Sequence, residues 1–177
     1  MDIKKRSDNI RKLAICAMFS ALGVVILYLG SLIDVLDIAM AALTSFFVIF
    51  AVIEYGGSAP WCIYGVTGIL SLILLPNKFP AIMYVLFFGF YPIVKERAER
   101  KMSKLVRWSI KEIVFNVCLV ILIIVFNILL SLELADVLIF EAVFFILANG
   151  VFVIYDIALT RLISSYMFKF RNKFKIK

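Results

Sequence analysis

The chain alternates long apolar stretches with short polar or charged segments. A transmembrane helix needs roughly 20 predominantly apolar residues to cross a hydrocarbon core about 30 Å thick, and the apolar stretches approach this length. We therefore predict an all-α integral membrane protein, a compact bundle of six transmembrane helices in a single domain. The predicted spans are residues 13–33, 38–53, 59–75, 79–94, 110–130 and 137–160. Several middle spans are short, so we expect them to recruit flanking residues, to tilt or to be interrupted.

Lysine and arginine lie on alternate connections, and this distribution predicts the orientation of the chain. The basic residues before the first span are Lys4, Lys5, Arg6, Arg11 and Lys12. Asp34 and Asp37 follow the same span. Because basic residues near a span are retained on the cytoplasmic side, both termini of this multi-pass cell-membrane protein are predicted to be cytoplasmic. The first span is too long for the apolar region of a signal peptide, so we expect it to remain uncleaved.

The composition supports a membrane protein and removes other classes. Of the 177 residues, 64% are hydrophobic, and the mean hydropathy of +1.08 is far above that of soluble domains. A net charge of +7 could suggest nucleic acid as a partner. However, every lysine and arginine except Lys78 lies near a terminus or a connection predicted to be cytoplasmic. The lipid bilayer therefore accounts for the charge, and no nucleic-acid partner is expected.

The chain lacks the residue types that many intramembrane enzymes need. It contains no histidine, which excludes catalytic sites with a histidine base and metal sites with histidine ligands. Cys16, Cys62 and Cys118 lie in apolar spans without paired metal-type spacing, which is typical of small packing residues. No glycine-rich phosphate-binding loop with Lys and Ser or Thr is present. We expect no catalytic residues, no cofactor and no metal.

Small residues form one face of the first predicted helix. Ala14, Ala17 and Ala21 recur at helical spacing. In lipid, where apolar side chains gain little by touching each other, small residues allow two helix backbones to approach closely. This face is predicted to dock on a partner, and packing against another helix of the same chain is the alternative.

Polar residues inside the last two spans are candidates for solute contact. Asn116 and Asn127 are about three helical turns apart and lie on nearly one face. Glu141 is predicted one to two turns below the outer surface, a depth at which an ionisable group marks a functional site. A snorkelling or protonated Glu141 is the alternative. Asn149 and Asp156 share a face of the sixth span.

The connection over residues 95–109 is the most charged part of the chain. Its apolar residues recur at helical spacing, which predicts a helix on the inner membrane surface. It serves either as an electrostatic stop for topology or as a surface for a cytoplasmic partner. In the preceding span, Pro92 predicts a kink near the inner end.

Six short helices, cytoplasmic ends, a basic inner loop and the small-x-x-x-small element at residues 17–21 resemble the substrate-binding S component of energy-coupling factor (ECF) transporters. The resemblance implies that a micronutrient binds on the outer side. It also implies that Ala17 and Ala21, extended by Ala14, dock on a transmembrane coupling subunit driven by two cytoplasmic ATPases.

The leading hypothesis is a solute-binding subunit with no catalytic activity of its own. The candidate substrate-binding residues are Glu141, Asn127, Tyr84, Asp34, Asp37 and Asn149. The segment from Asp34 to Asp37 is interpreted as a lid. Acidic residues on the outer side, opposed only by Lys78, favour a cationic or polar neutral solute over an anion.

Two other interpretations stay open. A small structural or assembly protein of a bacterial envelope complex has similar length and hydropathy and needs no outward pocket. An ion or proton pathway along Glu141, Asn149 and Asp156 is the third, although these residues form no continuous ionisable series.

Overall fold

The computed structural model describes residues 3–101, 103–130 and 138–167. Within these ranges, the side chains of residues 3–8, 34, 101, 104, 126–130 and 138–142 are not described. The described residues are almost entirely helical and include no strand. The predicted all-α class is therefore confirmed for this part of the chain.

Seven α-helices follow one another along the described chain. They are α1 (Ile3–Gly30), α2 (Asp37–Glu54), α3 (Ala59–Leu74), α4 (Phe79–Met83), α5 (Tyr91–Lys101), α6 (Lys104–Leu130) and α7 (Leu138–Tyr166). A 3₁₀ turn at Asp34–Leu36 leads into α2.

In the part of the chain that the structure describes, five helical segments are long and apolar enough to cross a membrane. They are Asn9–Gly30, Asp37–Glu54, Phe79–Arg100, Leu105–Val125 and Val143–Tyr166. Helix α3 is also apolar but shorter. Several helices of membrane-spanning length are thus present among the described residues, while the count of six spans and the cytoplasmic position of both termini stay predictions.

The chain divides into two compact units, Met1–Val114 and Phe115–Lys177. In the first unit, α1 packs against both α2 and α3. Phe19 stacks on Phe47, with ring centroids 5.3 Å apart, and meets Phe50 edge to face at 5.1 Å. These aromatic contacts hold α1 against α2.

Two glycines make the connection between α2 and α3 possible. Gly56 and Gly57 have φ values of 56° and 58°, a left-handed conformation in which a side chain is strained. Pro60 lies in the first turn of α3, where its missing N–H leaves no helical bond unmade. The helix ends therefore follow directly from the local sequence.

A π-helical turn at Tyr84–Phe88, hereafter the π turn, interrupts the fourth predicted span. The Gly89 N–H donates to the Tyr84 carbonyl at 2.8 Å, a bond between residues five apart. The Tyr64 hydroxyl of α3 donates to the Val85 carbonyl at 2.9 Å. The irregularity thus begins before Pro92, at a turn that a side chain from another helix stabilises.

Gly89 lets two tyrosine rings approach the π turn. A Cβ at this position would lie 2.6 Å from Tyr64 Cδ2 and 2.8 Å from Tyr84 Cζ. Both distances are far below van der Waals contact, and both atoms belong to rings that other residues hold in place. Glycine is therefore required for the rings and the backbone to pack together.

The basic connection differs from the predicted surface helix. Helix α5 carries the charged residues 95–101 as a continuation of the fourth span, and α6 begins at Lys104. Lys95 and Lys111 are buried, at 1% and 5% exposed. Two lysines that the pattern assigns to a solvated face therefore lie inside the first unit.

The second unit comprises the part of α6 from Phe115 onward together with α7. The Phe115 and Phe152 rings stack with centroids 4.4 Å apart and an interplanar angle of 10°. Leu119, Leu122 and Leu159 are also buried. Large side chains therefore form the apolar contact between these two helices.

Gly89→Ala should lower the unfolding free energy by about 1–3 kcal/mol, because the added methyl group overlaps the Tyr64 and Tyr84 rings. Gly65→Ala in α3 is the matched control, since a Cβ there has no heavy atom within 4 Å. That change should be neutral or stabilise the helix by up to about 1 kcal/mol. Thermal unfolding of both variants in detergent measures the difference, and equal midpoints would contradict the packing at Gly89.

Candidate functional site

The sequence-predicted site residues divide between the two units. Ala14, Ala17, Ala21, Tyr84 and Asp37 belong to the first unit, and Asn149 belongs to the second. The side chains of Glu141, Asn127 and Asp34 lie outside the described residues.

Tyr84 is the first residue of the π turn and is fully buried. Thr67 of α3 is also fully buried, and its hydroxyl neighbours that of Tyr84. The contact falls outside hydrogen-bonding geometry, and neither hydroxyl has another hydrogen-bond partner. Both groups keep their capacity to donate and accept a hydrogen bond.

Other hydroxyls around this pair are bonded to their own helices. Thr44 donates to the Met40 carbonyl at 2.9 Å, and Ser71 donates to the Gly68 carbonyl at 3.0 Å. A Cβ at Gly23 would lie 3.0 Å from Thr67 Cγ2 and 3.1 Å from Thr44 Cγ2. The methyl groups of both threonines therefore pack against the same position of α1, whereas their hydroxyls differ in bonding.

Asp37 lies at the first position of α2 and is 3% exposed. Asn77, between α3 and α4, donates from Nδ2 to Asp37 Oδ2 at 3.1 Å. The same amide accepts a bond from the Phe79 N–H at its Oδ1, 3.0 Å away. Asn77 therefore joins the start of α2 to the start of α4.

The three alanines lie on the face of α1 that stays exposed. Ala14, Ala17 and Ala21 are all exposed. On a neighbouring side of α1, Ser20 and Leu27 are buried where α1 packs on α2 and α3. The packing of the first unit thus leaves the three alanines uncovered.

Asn149 forms a reciprocal amide pair with Asn116 in the second unit. Asn116 Nδ2 donates to Asn149 Oδ1 at 3.2 Å, and Asn149 Nδ2 donates to Asn116 Oδ1 at 3.3 Å. Asn149 Nδ2 also donates to the Phe145 carbonyl at 2.8 Å. Because both amide protons of Asn149 are engaged, a solute could receive a bond from Asn149 only by displacing a protein acceptor.

A buried charge cluster joins α5 to α6. Glu99 Oε1 lies 3.4 Å from Lys95 Nζ and accepts a hydrogen bond from Lys111 Nζ at 2.8 Å. Two almost fully buried ammonium groups therefore share one carboxylate oxygen. This pairing reduces the cost of keeping their charges away from water and fixes the angle between the helices.

Sequence reasoning missed Thr67, Asn77 and the buried lysines. Thr67 has a weak signal in the sequence, because it precedes Ser71 by one helical turn within an apolar span. Asn77 lies between Pro76 and Lys78 in a segment that predicts only a turn. Its bond to Asp37 joins residues 40 apart, and no local pattern specifies such a contact.

Among the described residues, no three Cys, Asp or Glu side chains come together in a way that could hold a metal ion. The comparisons with protein families, curated proteins and solved structures find no match to this chain.

The Asn116–Asn149 pair should contribute a coupling free energy of about 0.5–1.5 kcal/mol to the stability of the fold, because each amide supplies the other with a hydrogen-bond partner that hydrocarbon lacks. A double-mutant cycle with Asn116→Ala, Asn149→Ala and both changes together measures it. Strictly additive effects on the unfolding free energy would show that the two amides do not interact.

Glu99→Gln should lower the unfolding free energy by about 1–3 kcal/mol, because it removes the shared negative charge beside two buried ammonium groups. Glu96→Gln is the control, as it removes the same charge from an exposed ion pair with Arg100. Its effect should stay within about 0.5 kcal/mol. Chemical unfolding in detergent checks both, and a loss no larger at Glu99 than at Glu96 would refute the bridging role.

Proposed function

We propose that this protein is a membrane-embedded solute-binding subunit of an ECF-type importer. It would capture a micronutrient on the outer face and dock on a transmembrane coupling subunit that cytoplasmic ATPases drive. The observation that carries the proposal is the division of α1 into two faces. One face packs against α2 and α3, and the other leaves Ala14, Ala17 and Ala21 exposed.

Exposed small residues suit helix docking in lipid for a physical reason. Helices in a bilayer gain association energy from close backbone approach, and alanine permits this approach without a side chain in the way. Since the packing of the first unit does not cover these alanines, they are available to a helix of another subunit.

The proposed solute-binding end of the first unit is the one at which Asp37 and Asn77 form a hydrogen bond. With cytoplasmic termini, this end faces outward. Tyr84 lies beneath it in the π turn, as a candidate for solute contact. Glu141, Asn127 and Asp34 stay candidates on the sequence argument alone.

Tryptophan at both Ala17 and Ala21 should abolish recovery of the ATPases in co-purification, because two large rings prevent close helix approach. The tagged protein is co-expressed with an energy-coupling module from the same host, and the ATPases are quantified after affinity purification. Wild type should recover them, and the amount of ATPase recovered with the double variant should be lower by about tenfold or more.

The matched control is Ile69→Trp with Ile73→Trp on α3. These residues have the same spacing and are 62% and 69% exposed, so two rings are added to a different apolar face. This control should recover the ATPases as wild type does. If wild type recovers no ATPase despite good expression, the docking proposal fails and the envelope-assembly interpretation takes precedence.

A further inference from the structure

The interior of the first unit contains two neighbouring hydroxyls with open hydrogen-bonding capacity. Thr67 Oγ1 and Tyr84 Oη are inaccessible to solvent, and neither is within hydrogen-bonding geometry of any donor or acceptor. Leaving a polar group in this condition costs free energy comparable to that of a lost hydrogen bond. Such groups in a folded protein indicate a strained or functional position.

Neighbouring residues of the same types have bonded hydroxyls. Thr44 packs its methyl against the same glycine as Thr67, yet its hydroxyl is bonded to the Met40 carbonyl. Tyr64, whose ring lies 6.1 Å from that of Tyr84, donates its hydroxyl to the Val85 carbonyl. Equivalent residue types at the same level are therefore satisfied, and Thr67 and Tyr84 differ from them.

The pair lies at a depth that a solute could reach from the Asp37 end. Thr44, which shares the Gly23 contact with Thr67, is seven residues along α2 from Asp37. At a rise of 1.5 Å per residue this is about 10 Å. At that end, Asn77 Nδ2 donates a hydrogen bond to Asp37 Oδ2, and an exchange of this bond with water or solute costs little compared with unfolding a helix.

We propose that Thr67 and Tyr84 receive a neutral hydrogen-bonding group of the captured solute, such as a hydroxyl, an amide or an unprotonated ring nitrogen. This inference rests on the proposed solute-binding function and narrows its substrate class. Two hydroxyls can donate to and accept from one such group at the same time. The π turn carries Tyr84, whose hydroxyl neighbours that of Thr67.

Charge argues for a neutral group. Thr44, Tyr64 and Gly23, which surround the pair, carry no formal charge. A charged group placed there would lose its hydration without gaining a counter-ion, and this loss is much larger than that of a neutral polar group. A cationic solute therefore keeps its charge near Asp37, and the group that reaches Thr67 and Tyr84 is uncharged.

The experiment compares wild type, the double variant Thr67→Val with Tyr84→Phe, and the control Thr44→Val. Each full-length protein is purified in detergent and incubated with a deproteinised small-molecule extract of the host cells and growth medium. Compounds retained after washing are then quantified by mass spectrometry. Thermal midpoints are measured for each protein without the extract.

Wild type and Thr44→Val should retain a compound with a neutral hydrogen-bonding group, at about tenfold or more above the double variant. The midpoint of the double variant without extract should equal or exceed that of wild type, since two unsatisfied hydroxyls have been removed. Loss of binding without loss of stability distinguishes a recognition role from a structural one.

Three results would overturn the inference. First, the double variant is found to retain the same compounds as wild type. Second, wild type is found to retain no compound in a larger amount than the double variant does. Third, the double variant unfolds at a lower temperature than wild type, which would mean that an internal water already satisfied the two hydroxyls. The recovery of the ATPases in co-purification tests the proposed function separately. A protein that recovers the ATPases but shows any of these three results loses only the inference about Thr67 and Tyr84.

Discussion

The structure depends on one constraint, which is the free-energy cost of a polar group that is removed from water without a hydrogen-bond partner. Hydrocarbon offers no donors or acceptors, so a hydroxyl, amide or charge in an apolar span is costly unless a neighbouring helix or its own helix satisfies it. Thr44 and Ser71 turn back to carbonyls of the preceding turn. Asn116 and Asn149 satisfy each other across two helices. The Asn116–Asn149 bonds also fix the relative rotation of α6 and α7.

The same constraint explains why the α5–α6 connection is more than a basic stop. A lysine can reach water through its flexible stem, and this is the ordinary outcome at a membrane boundary. Lys95 and Lys111 instead converge on Glu99. Part of the positive charge that is predicted to specify topology thus also holds two helices together, so counting charges does not separate the two roles.

Helix positions follow closely from the sequence, whereas the polar contacts do not. The second and third spans were expected at 38–53 and 59–75 and occur at Asp37–Glu54 and Ala59–Leu74, because Gly56, Gly57 and Pro60 mark their ends locally. The π turn depends on the Tyr64 hydroxyl, which comes from 21 residues earlier in the chain. Thr67 and Asn77 likewise gain their significance from neighbouring residues on other elements of the fold, which periodicity does not identify.

The π turn does not rotate the buried face of the fourth span away from the core. Tyr84, at the start of the turn, and Tyr91 and Lys95 after it are all buried. Their separations of seven and four residues are those of one face of a regular helix. Lys95 therefore enters the core because it lies in line with two buried tyrosines. The periodicity that gives this segment its buried face thus also buries a charge, which Glu99 balances.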